Sequence, residues 1–231
     1  MAVSASVPED VLKDVARQVG DRIAEEFSSL AAATPPAPVN GVAQTFDYWP
    51  LTGLDPATAK FKLGETFEVW KLKEDAAAAL AGATGDLVTL TRWTGAYRHQ
   101  IRLVRDGADE AVGFALSYAA GAGHAGRYVR DFFFSRLAAE MDKAIELADQ
   151  LVPEDAVTRL LSLPEFRVEA LWFVKPVAAG AAGPPLGIET RGVIVALAPD
   201  RFPGQTMTLT DSATFISVLS NTVGRGMGLL L

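Results

Sequence analysis

Apolar residues recur every three or four positions in two long stretches of the chain and on alternate positions in several shorter ones, which separates helices from strands. The first helical stretch carries Val11, Val15, Val19, Ile23 and Phe27 on one stripe, flanked by Leu12, Ala16 and Leu30. Lys13, Asp14, Arg17, Asp21, Arg22 and Glu25 lie largely away from it. Ser6-Val7-Pro8-Glu9 reads as a capping box at its start, and the helix is expected to run to about residue 30. Such a stripe must be covered, either by the chain's own sheet or by a partner helix or second copy. In the second long stretch Phe134, Leu137, Met141, Ala144, Ala148 and Leu151 fall at gaps of three and four, predicting a helix over 127–151 that Pro153 interrupts. Shorter helices are expected over 74–81 and 154–163, and a last one to residue 224 with Thr210 or Asp211 as its cap.

Strands are predicted over 66–73, 87–93, 97–104, 111–118, 166–175 and 190–197, with a short extension at 207–209. Tyr97, His99, Ile101 and Leu103 alternate with Arg98, Gln100 and Arg102, so one face of that strand is expected to be buried and the other wet. Arg105-Asp106-Gly107 begins a turn, and Val112, Phe114, Leu116 and Tyr118 alternate again, predicting an antiparallel hairpin over 97–118 with a loop of about six residues. Two hairpins, without one-for-one alternation of helix and strand, favour an α+β fold: a mainly antiparallel sheet, helices packed on one face, and an N-terminal helix. The prolines at 35, 36 and 38 make a stiff spacer. The expected organisation is therefore an N-terminal helix over 1–33, as an arm or a packed element, a Pro-rich linker over 34–45 and one α+β domain over 46–231. Phe46, Tyr48 and Trp49 are expected to anchor into the core, and the Ala/Gly/Pro tract 176–187 to form a mobile hairpin loop or lid. No internal repeat is visible in the sequence.

With 231 residues, 49% of them hydrophobic and 21% charged, the chain is of the globular class and can bury a substantial core. A net charge of −7 argues against a surface for nucleic acid or an anionic membrane. The absence of cysteine excludes disulfides, thiolate nucleophiles and cysteine-ligated metals, and fits a reducing compartment. The first fifteen residues lack the basic and apolar regions of a secretory leader, and a cytoplasmic location is expected.

Candidate chemistry centres on Gly121-Ala122-Gly123-His124-Ala125-Gly126, which matches G-x-G-x-x-G between a predicted strand and a predicted helix. In that context it resembles the dinucleotide-binding fingerprint, which implies a phosphate held on backbone N–H groups at a helix start. The fingerprint's next parallel strand is replaced by Pro153 and a further helix. Val112-Gly113-Phe114-Ala115 followed by Gly123-His124-Ala125-Gly126-Arg127 is similar to acetyl-CoA-dependent N-acetyltransferases, although 117–122 is too short for the strand that family places between the two features. Either resemblance implies a phosphate-bearing cofactor, acyl-CoA or a nucleotide, held by Gly121, Gly123, His124, Gly126 and Arg127 at the loop and helix start of 121–130.

His124 beside Arg127 and Arg130 could touch an anion, whereas His99 on an apolar strand face is expected to be a hydrogen-bonded core residue. Two isolated histidines exclude a histidine-rich metal site, and neither a G-x-S-x-G elbow nor a G-K-[ST] loop is present. Arg92, Arg98, Arg102, Arg105, Arg127 and Arg130 concentrate around the hairpin and glycine corner, as a solvated face or a local anion site. No catalytic residue, metal ligand or bound cofactor is assigned. The leading expectation is a soluble, non-catalytic binding or assembly module that self-associates or docks a protein partner. The alternative is a transferase-like enzyme using the glycine loop.

Overall fold

The structure, a computed structural model, describes residues 7–32, 54–55, 58–82, 85–105, 107–119, 129–135, 137–152, 156–176, 187–197 and 206–224. After helix α1 (Glu9–Ala32) the described strands are β1 (Lys60–Leu72), β2 (Thr91–Arg105), β3 (Ala108–Tyr118), β4 (Val129–Phe134), β5 (Val157–Leu163), β6 (Val168–Pro176), β7 (Gly187–Leu197) and β8 (Leu209–Thr210). Helices α2 (Ala76–Ala81) and α3 (Leu87–Leu90) fall between β1 and β2. Helix α4 (Leu137–Leu151) follows β4, and α5 (Ser212–Gly224) follows β8. All eight strands form one sheet in the order β4-β3-β2-β1-β5-β6-β7-β8. Every neighbouring pair is antiparallel except β1 and β5, which run parallel at the centre. Four strands and then a helix thus occur twice in succession, joined along one parallel seam.

The fold is α+β, as the hairpin pattern indicated, but its helices occupy both faces of the sheet. On one face α4 buries Ala138, Met141, Ala144 and Ala148 against Leu160, Leu171, Phe173 and Ile194. The intervening residues Leu161, Ala170, Trp172, Val193 and Val195 point the other way, under Leu80 of α2, Leu87 of α3 and Phe215 of α5. That second face continues into a cluster in which α1 covers Ile101, Leu103 and Val112 with Val11, Val15, Val19 and Ile23. The single helical layer expected from sequence is divided because the central strands are apolar on both sides and each side must be sealed. The α1 stripe is covered in cis, so α1 is a packed element. The Pro-rich linker, Phe46, Tyr48, Trp49 and residues 177–186 lie outside the described residues.

Three predicted elements take another form. Residues 129–134, expected as helix, are strand β4, whose run Val129 to Phe134 pairs with β3 through Phe114↔Phe133 and Ala115↔Phe132. The helix starts only at Leu137, where the Ser135 hydroxyl accepts the Leu137 N–H at 3.2 Å. Residues 157–163 are β5 and not helix: Leu160 and Leu161 are both fully buried, on opposite faces, and a strand sealed on both sides shows no alternation. Residues 87–90 form α3 because Asp86 caps it, its carboxylate accepting from the Thr89 N–H at 2.7 Å while the Thr89 hydroxyl accepts from the Asp86 N–H at 3.2 Å.

The hairpin of β2 and β3 is present, but its turn is tighter than expected. β2 ends at Arg105, β3 begins at Ala108, and Gly107 takes a φ of +80°. Glycine is required more stringently at the far edge. Gly192 has a φ of +102°, and a Cβ there would lie 2.1 Å from the Thr210 carbonyl oxygen of β8. Gly192→Ala is expected to destabilise the protein by about 3 kcal/mol through backbone strain and this clash. A lowered urea midpoint would register that loss, and an unchanged midpoint would contradict it.

Candidate functional site

Cross-strand pairing assembles a polar row in the middle of the sheet. Ser117 of β3 stands opposite Tyr97 of β2, Tyr97 opposite Glu68 of β1, Glu68 opposite Arg159 of β5, and Arg159 opposite Trp172 of β6. Directly opposed residues share a face, so all five point to the side that carries α1, α2, α3 and α5. Thr66 and His99, paired in the same way, stand beside them. The row separates the apolar cluster under α1 from the one under α2, α3 and α5.

Within it, His99 is completely buried between two hydroxyls. Its Nδ1 is 3.0 Å from Thr66 Oγ1, and its Nε2 is 2.6 Å from Ser117 Oγ. Either hydroxyl can donate or accept, so a neutral ring with one N–H is satisfied at both nitrogens. Burial pushes the imidazole pKa down to about 4 and keeps it in that neutral form. The sequence expectation of a hydrogen-bonded core histidine is met.

Glu68 and Arg159 form a second buried unit, with Arg159 Nε 3.3 Å from Glu68 Oε2, the Arg159 side chain 2% exposed and that of Glu68 12%. Glu68 also accepts the Trp70 indole N–H at 3.2 Å. The guanidinium lies 4.1 Å from the Trp70 ring centroid and 5.3 Å from that of Trp172, and the two indoles meet edge-on at 5.7 Å. Burial raises the Glu68 pKa and lowers that of Arg159, each against the attraction of the other. Tyr97 is pushed upward by burial and then by the Glu68 charge.

A serine 2.6 Å from an imidazole is the contact a nucleophile and its base would make. Here Ser117 and His99 have no exposed surface, and Thr66 occupies the place where a carboxylate would orient the ring. No substrate carbonyl can reach that hydroxyl, and the row braces the centre of the sheet.

The opposite face of β2, expected to be wet, is roofed by α4. Gln100 is fully buried, and its amide donates to Asp142 Oδ1 at 3.3 Å. Arg102 donates to both Asp142 oxygens, at 2.6 and 3.1 Å, and also engages Asp109. Hydrogen bonding to Asp142 raises the Arg102 pKa and holds the guanidinium charged. Arg98 pairs with Glu169 at 2.9 Å and lies over the Phe114 ring at 5.3 Å. Arg92 pairs with Glu74 at 3.0 Å. The arginines read as a possible anion site therefore meet carboxylates of the chain itself at Arg92, Arg98 and Arg102.

Gly121, Gly123, His124, Gly126 and Arg127 lie outside the described residues. Their flanks are described: β3 and β4 are antiparallel and meet at Ser117↔Val129. Residues 129–134, which the expected helix over 127–151 would have included, extend the sheet instead. The first helix beyond them begins at Leu137.

A different feature opens to the surface. Where the C-terminal half of α1 crosses the start of β1, a groove of about 540 Å³ is lined by Ile23, Ala24, Phe27, Ser28, Ala59 and Phe61. Phe27 and Phe61 meet with ring centroids 6.3 Å apart, and Phe61 in turn meets Phe134 at 6.1 Å. Among the described residues no group of three or more His, Asp or Glu side chains is placed to hold a metal ion, and no helix is long and apolar enough to cross a membrane.

Compared with known proteins, the chain matches no family model, no curated sequence and no solved structure. Its site must therefore be read from its own geometry. Sequence reasoning did not single out Thr66, Glu68, Ser117, Arg159 or Trp172. A signal was present in TFEVW and VTRLL, where one acid and one base stand alone inside strongly apolar, β-branched runs. Opposite charges in two such runs are candidates to meet in the core.

Proposed function

We propose that the protein is a non-catalytic binding or assembly module that docks a protein surface, a second copy of itself included, in the groove between α1 and β1. The groove carries this reading. At about 540 Å³ and walled by Ile23, Phe27 and Phe61, it has the size and apolar character of a recognition site. The buried polar row supports the same view, since its reactive side chains are turned toward one another.

Sedimentation velocity of the full chain over a wide concentration range, with and without Ala24→Arg, tests the proposal. Ala24 is exposed at the groove's rim, so arginine there obstructs docking without entering the core. The expected result is concentration-dependent association that Ala24→Arg abolishes. A wild-type chain that stays monomeric, and whose protein interactions are unaffected by Ala24→Arg, would overturn the reading.

The transferase alternative is tested by thermal shift with nucleotides and coenzyme A. A ligand at a hundred times its dissociation constant stabilises by about 2.7 kcal/mol. No shift is expected with any of them, and a saturable shift would favour the enzyme instead.

A further inference from the structure

We draw no further inference here: the strongest candidate, the apolar groove between α1 and the start of β1, belongs to the site already described, and nothing in the structure shows what chemistry its occupant brings.

Discussion

Replacing Glu68 by alanine is expected to destabilise the protein by about 3 kcal/mol or more, because it strips a buried guanidinium of its carboxylate partner. Arg159 is 2% exposed and keeps its place between the Trp70 and Trp172 rings, so its charge cannot turn outward to water. The intact pair is a different matter. Burial opposes the charged form of both partners, so the attraction between them offsets a desolvation cost and adds little net stability. Glu68→Leu combined with Arg159→Met, which removes both charges and keeps apolar bulk, is accordingly expected to recover most of what Glu68→Ala loses. Urea titrations of the two variants beside the wild type measure both effects. A double variant no more stable than Glu68→Ala would show that the charges themselves hold the seam together.

Acidification is expected to weaken the fold between pH 6.5 and about 4 through His99. Above that window the imidazole is neutral in both states and contributes no pH dependence. Within it the unfolded chain takes up a proton that the buried ring refuses, so stability falls by about 1.4 kcal/mol per pH unit and about 3 kcal/mol in all. Glu65 and Glu68 act in the opposite sense, because burial raises their pKa values and the native state then gains protons first. The contribution of His99 is therefore the difference between the wild type and His99→Gln, whose amide can bond Thr66 and Ser117 without titrating. Parallel stability curves for the two proteins from pH 7 to pH 4 would refute it.

Periodicity revealed the elements that have one dry side and one wet side. The α1 stripe of Val11, Val15, Val19 and Ile23 was visible for that reason, and its charged residues do face solvent. The β2–β3 hairpin was visible because its turn interrupts two alternating runs. Periodicity failed where a segment is enclosed all round: β5 presents Leu160 to one helical layer and Leu161 to the other, so its apolar run passes for a helix. At β4 the spacing of Phe134, Leu137 and Met141 imitated a helical stripe, although Phe134 belongs to a strand and the other two to α4.

The site was less legible than the fold. His99 could be placed in the core from its own strand, but its partners stand 33 positions before it and 18 after it, and only strand register brings them together. The groove brings Ile23, Ala24 and Phe27 of α1 against Ala59 and Phe61, residues far apart in the chain that no local pattern joins.

The parallel pairing of β1 with β5 runs through Glu68, Val69 and Trp70. During synthesis the first four strands emerge before β5 exists, leaving Glu68 and Trp70 on an unfinished margin of the nascent sheet. Until β5 arrives, Glu68 lacks the Arg159 guanidinium that faces it across the finished seam, so closing the sheet and pairing that charge are one event.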